Sequence, residues 1–278
     1  MSDAPLGVTG ATGHLGGLVA QTLAAAGVAQ RLLVRDPRRA PQLPGAEVAA
    51  VTYGRDALAA LDGIRTLLMV SAAESPDRVA EHVAFLDDAA EAGVEHVVYT
   101  SFVGAGPSAT FTLARDHGAT EDHARRSGLR WTFLRDNLYL DLLPHLVGPD
   151  DALRGPAGDG LLAGVARADV ARAATAVLLD PRRHAGRTYE LTGPHAMTLA
   201  EVAWQIGTST GREIRYVAES LPEAYASRAP YDAPGWQVDA WVSTYTAIAA
   251  GEMATVSDDV RRLTGRPPLG LAQVLAGA

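Results

Sequence analysis

The stretch "VTGATGHLGG", residues 8–17, places Gly10, Gly13 and Gly16 at three-residue intervals. A short apolar run ends just before it. "LGGLVAQTLAAAG" follows, with Leu15, Leu18, Val19, Leu23 and Ala26 at helical spacing and Gly27 as a stop. The pattern predicts a strand, a tight turn and a helix. Where glycine removes the side chain, another group can approach the main chain closely. The first amides of the helix and the positive end of its dipole then face that group. A pyrophosphate suits such a place, and Thr9 and Thr12 add hydroxyls. The pattern alone is weak in a chain of 28 glycines, and a strand–helix turn without ligand would look the same. Its setting between strand and helix favours the phosphate reading.

Composition narrows the chemistry. The net charge is −8, which argues against general affinity for nucleic acid. There is no cysteine, so disulfides, thiolate nucleophiles and Cys-held metals are excluded. All 24 residues counted as Lys+Arg are arginine. A Schiff-base lysine, a Walker lysine and a lysine proton relay are therefore excluded too. Any bound anion is held by arginine, backbone amides or hydroxyls. No signal-peptide pattern and no apolar run of membrane-spanning length is read, so the expectation is a soluble cytoplasmic protein with no membrane partner.

Further along, "QRLLVRD", "RTLLMVSA", "VEHVVYTS" and "LRWTFLRDN" read as strands, and helical stretches lie between them. The alternation predicts an α/β fold, a Rossmann-type doubly wound parallel sheet with a smaller, mostly helical C-terminal substrate-binding part. The expected division is residues 1–137 for the dinucleotide-binding core and 138–278 for the mixed part, with about 165–195 returning to the sheet. Ser75 is the expected cap of the helix "SPDRVAEHVAFLDDAAEAG". "GPDDALRGPAGDGLLAG" reads as a loop or hairpin. Thr198 and Glu201 form the S/T-x-x-E pattern that opens a helix.

The second strand ends "VRDP", with Arg35 before Asp36. An acid at this point ordinarily binds the ribose diol of NAD. Arginine instead forms a charge-assisted fork with a 2′-phosphate. Side chains alternate along a strand, so only one of the two faces the ribose. The reading favours NADPH, with NADP preferred over NAD.

"TGATGHLG", "VRDP", "LLMVSAAE", "VVYTS" and "FLRDNLY", in this order and spacing, resemble the NmrA-like branch of the atypical short-chain dehydrogenase/reductases, particularly the bacterial NADPH-dependent quinone oxidoreductases. The resemblance implies that Thr9, Gly10, Ala11, Thr12, Gly13, His14 and Leu15 wrap the pyrophosphate and Arg35 takes the 2′-phosphate. It also implies that Ser71, Ala72 and Ala73 pass beside the ribose, and that Asn137 and Tyr139 touch nicotinamide or substrate. Tyr53 is expected near the adenine. The wider superfamily carries Tyr-x-x-x-Lys on the helix after "YTS". Here that helix reads "ARDHGATED", with His117 near the tyrosine position and Glu121 near the lysine position.

Hydride transfer needs only cofactor and acceptor in contact, so a quinone or a similar flat electrophile remains open as acceptor. His117 is the expected proton donor and Ser101 a hydrogen-bond partner for the acceptor. Both also fit plain structural roles. No nucleophile elbow and no metal-ligand pattern is read. Two alternatives stand beside the quinone reductase: a non-catalytic NADP-binding redox sensor of the NmrA type with a regulatory protein partner, and a reductase of an aromatic or polyketide metabolite. A homodimer is left open.

Overall fold

The computed structural model describes residues 6–277. In chain order the elements are β1 (Leu6–Thr9), α1 (His14–Ala25), β2 (Gln30–Val34), β3 (Ala46–Ala50), α2 (Leu58–Leu61), β4 (Thr66–Met69), α3 (Arg78–Glu91), β5 (His96–Phe102), α4 (Thr112–Arg126) and β6 (Arg130–Asp136). After them come β7 (Ala152–Gly155), β8 (Leu161–Leu162), α5 (Arg167–Leu179), β9 (Arg187–Leu191), β10 (Met197–Thr198), α6 (Leu199–Thr210), β11 (Arg215–Ala218), α7 (Leu221–Arg228), α8 (Gly235–Ala249), α9 (Asp259–Thr264) and α10 (Leu271–Ala276). Seven strands form one sheet in the order β3-β2-β1-β4-β5-β6-β9. The order reverses direction at β1 and β4, the arrangement of a Rossmann-type sheet. The expected fold class is the observed one.

Two compact units are resolved. The first comprises the described residues through Ser101, with Asp116–Arg135 and Ala168–Tyr189. Its strands are parallel, with Val8 opposite Leu32 on one side and Leu68 on the other. β4 is buried at every residue, as a central strand covered on both faces must be. β3, at the sheet's end, is largely exposed. Leu33, Leu61, Leu67, Met69, Phe85 and Phe133 belong to one core cluster here. α3 begins at Arg78 rather than near Ser75. Ser75 Oγ instead accepts the Asp77 N–H at 3.1 Å, a local turn that delays the helix.

The second unit comprises Phe102–Arg115, Asp136–Arg167 and the described residues from Glu190 onward. Leu140, Leu153, Leu162, Val202 and Ile248 share its core. The stretch expected as a loop or hairpin holds β7 and β8, which pair with distant strands: β7 runs parallel to β11, and β8 antiparallel to β10. Thr198 and Glu201 form the reciprocal cap expected at the start of α6. Among the described residues no helix is long and apolar enough to cross a membrane.

Candidate active site

The first unit holds a crevice of about 440 Å³ built on the turn between β1 and α1. Gly10 has φ +67°, the left-handed region that side-chain-bearing residues avoid, and a Cβ there would lie 3.1 Å from Val70 Cβ. Gly16 is constrained by contact instead. A Cβ at that position would sit 2.4 Å from the Gly10 carbonyl oxygen and 2.7 Å from that of Thr9. Helix and turn thus meet main chain to main chain. The turn is closed by the Gly13 N–H donating to Gly10 O at 2.9 Å.

α1 has no side-chain cap, and no acid stands in its first turn. Its leading amides have no intrahelical acceptor and keep their hydrogen-bonding capacity. Together with the dipole they form a cradle for a dianionic bridge that a Cβ at Gly10 or Gly16 would disrupt. The residues present therefore fit a dinucleotide pyrophosphate. Thr9, Gly10, Thr12, Gly13, His14, Leu15, Arg35, Ser71, Ala72 and Ala73 all line the crevice. Ala11 is buried in the turn beneath them.

Arg35 and Asp36 differ in their partners. Asp36 turns back on its own loop: Oδ1 accepts the Arg38 backbone N–H at 3.1 Å and Nε at 2.9 Å, and Oδ2 accepts Nη2 at 3.0 Å. Those bonds from Arg38 hold its carboxyl below the usual range. Arg35 is exposed in the crevice, and among the described residues no acid lies within ion-pair distance of it. The guanidinium is left for a ligand.

One wall of the crevice is braced from beneath. Tyr53 Oη lies 2.7 Å from Thr9 Oγ1 and 2.8 Å from the Val70 carbonyl, and the Val70 N–H donates to Thr9 Oγ1 at 2.8 Å. The Thr9 hydroxyl, expected as a ligand contact, is engaged there. The Ser71 N–H donates to Thr100 Oγ1 at 2.9 Å. The Ala72 N–H donates to His82 Nε2 at 2.9 Å, and Arg78 Nε donates to the Ala72 carbonyl at 3.0 Å. Arg78 and His82 were missed in the sequence. Their signal is an i, i+4 polar pair on the same face of α3 as Phe85, Leu86 and Ala89.

His117 lies in this buried cluster, 6 % exposed, and not in the crevice lining. Arg78 Nη2 is 3.0 Å from its Nε2 and Tyr99 Oη is 2.8 Å from its Nδ1. A guanidinium only donates, so Nε2 accepts and Nδ1 carries the proton. Burial, then the Arg78 charge, push its pKa well below the usual value. The ring expected to give up a proton stands neutral and braces Arg78. Ser101 Oγ donates to Glu121 Oε1 at 2.6 Å. Glu121 also accepts from Arg125 at 2.8 Å and from Arg135 at 2.7 Å. Ser101 and Glu121 thus tie β5, α4 and β6 together.

Asn137 and Tyr139 lie in the second unit. Asn137 Nδ2 donates to the Met253 carbonyl at 3.0 Å, and its Oδ1 accepts the Leu138 N–H at 2.8 Å. Tyr139 is half-buried and its hydroxyl donates to Asp136 Oδ2 at 2.7 Å. Arg167 Cζ lies 4.6 Å from the centre of the Tyr139 ring. Among the described residues no cluster of His, Asp or Glu is arranged to hold a metal.

Residues 10–181 match the NAD(P)H-binding family. Quinone oxidoreductase 2 of Escherichia coli is 32% identical over 279 residues, covering 96% of each chain. An NAD(P)H azoreductase of Xenophilus azovorans is 30% identical over 273 residues, covering 96% of this chain and 95% of that one. A crystal structure of the Escherichia coli NADPH-dependent quinone oxidoreductase complexed with NADPH superposes with a TM-score of 0.89 at 29% identity, covering 98% of this chain and 99% of the other. The glycine cradle, the free guanidinium at the end of β2 and these likenesses converge: the chain belongs to the NAD(P)H-binding family of Rossmann-fold oxidoreductases.

Proposed function

We propose that this protein is an NADPH-dependent oxidoreductase that reduces a quinone or a similar flat, electron-poor acceptor. The observation that carries the reading is the pairing of an uncapped, acid-free α1 N-terminus with Arg35, whose neighbouring acid is occupied by Arg38. Residues Gly10 to Leu15 would hold the pyrophosphate, Arg35 the 2′-phosphate, and Ser71 to Ala73 the ribose side. The reduced nicotinamide, when bound, supplies a hydride to the acceptor. Residues 138–278 would carry the acceptor's binding surface. The names of the relatives, a quinone reductase and an azoreductase, support a conjugated acceptor that takes two electrons.

The test is consumption of reduced nicotinamide, followed by absorbance, against a panel of quinones, azo dyes and simple carbonyls. Turnover of quinones or azo compounds with NADPH preferred over NADH is the expected result. Tight NADPH binding without turnover of any panel member would point instead to a sensor, and turnover of carbonyls alone to a metabolite reductase.

A further inference from the structure

Ser71, Ala72 and Ala73 line the crevice on the loop that follows β4. Three residues this small have little side chain with which to pack the loop in place. The main chain is tied from behind instead. The Ser71 N–H donates to Thr100 Oγ1 at 2.9 Å. Both main-chain polar groups of Ala72 meet side chains of α3: its N–H donates to His82 Nε2 at 2.9 Å, and its carbonyl accepts from Arg78 Nε at 3.0 Å. Arg78 and His82 stand about one turn apart on that helix, and both are buried.

A second tier holds these two. Arg78 Nη2 donates to His117 Nε2 at 3.0 Å, and Nη1 faces Asp116 Oδ2 at 3.6 Å. His82 Nε2 accepts from Ala72, so its ring proton sits on Nδ1 and goes to Thr120 Oγ1 at 3.0 Å. Thr120 Oγ1 donates in turn to the Asp116 carbonyl at 2.9 Å. Burial, then the Arg78 charge, push His82 down to about 3 and His117 well below its usual value. Both rings are neutral at neutral pH, and each keeps a lone pair for its donor. All of these residues belong to the first unit. The face of α4 that carries His117 and Thr120 therefore supports the crevice wall.

Ser71 is half-buried, and its hydroxyl has no hydrogen-bond partner among the described residues. We propose that Arg78 and His82 are positioning residues for the coenzyme: they fix Ala72 so that the Ser71 hydroxyl meets a sugar hydroxyl of the bound dinucleotide. This rests on the coenzyme reading above. His117 and Thr120 act one step further back, by holding Arg78 and His82. A loop set before the ligand arrives spares the entropy of ordering it on binding.

A pair of substitutions separates positioning from packing. In His82→Gln the amide oxygen stands near the place of Nε2 and can accept the Ala72 N–H. In His82→Asn the shorter side chain reaches only the place of Nδ1, so it keeps Thr120 and gives up Ala72. NADPH affinity, measured by calorimetric titration, should fall about tenfold in His82→Asn and less than about threefold in His82→Gln. Hydrogen exchange of residues 71–73 in the coenzyme-free protein should be slow in the wild type and His82→Gln and faster in His82→Asn. Because His82 acts through Ser71, the double variant Ser71→Ala/His82→Asn should bind within about twofold of the weaker single one. Arg78→Met should weaken NADPH about as much as His82→Asn, which keeps the test open if that variant does not fold. Equal affinities in His82→Asn and His82→Gln, or losses that multiply in the double variant, overturn the proposal and leave the coenzyme reading standing. Absence of NADPH binding by the wild-type protein overturns both.

Discussion

The dipeptide Arg-Asp follows directly on β2 and closes β6, and the pair meets opposite fates. At the end of β2, Arg35 opens into the crevice and Asp36 folds back onto Arg38. At the end of β6, Arg135 is tied to the buried Glu121 and Asp136 is left inside with one neutral partner. Alternation along a strand separates arginine from aspartate in both cases. What differs is which of them finds a partner. An arginine without an acidic partner at a surface crevice is available to an anion, whereas burial without a cation favours the neutral form of an aspartate.

The comparison can be tested at Glu121. Glu121→Gln breaks a buried ion-pair network that includes Arg135 and should lower stability by roughly 3 kcal/mol, read by chemical denaturation. Arg35 itself should barely notice.

Asp136→Asn comes next. A folded-state pKa raised to about 8 means that the native protein binds more protons than the unfolded chain between about pH 4 and pH 8. Stability should therefore fall as pH rises through that window, and the fall should be weaker in the variant. The difference, read from denaturation midpoints across pH, should reach on the order of 5 kcal/mol. Parallel pH curves would show that Asp136 is charged.

Arg35→Ala addresses the other strand. Loss of a charge-assisted fork should weaken NADPH by roughly 30-fold, about 2 kcal/mol, and NADH by much less. Calorimetric titration of both coenzymes would measure it, and equal losses would show that Arg35 does not meet the 2′-phosphate. The smallest effect is expected from Asp36→Asn. It loosens the exposed Arg38 pair and should change NADPH affinity by less than about threefold.

These contrasts mark what sequence reading reaches. The glycine turn, β1, β4, β5 and the order of alternating elements were legible because main-chain geometry and burial leave periodic traces. Arg35 was legible as one of two candidates, and the hydrogen bonds of Asp36 to Arg38 were not. The burial of His117 was hidden because α4 carries buried residues, among them His117, Thr120 and Glu121, on a polar face. No apolar stripe reveals such a face. The pairing of β7 with β11 was hidden by the shortness of both strands and the roughly sixty residues between them. The state of Asp136 depends on what surrounds it in space, which "LRDN" does not record.

The contact of Gly16 with the Gly10 carbonyl has one more consequence. The turn is held by main chain packed against main chain and by the Gly13 to Gly10 hydrogen bond, so the amide cradle needs little rearrangement to take a coenzyme. Docking then demands little loss of backbone entropy, and affinity should come without a slow closing step. Stopped-flow traces of coenzyme capture should accordingly be single-exponential and rise linearly with concentration.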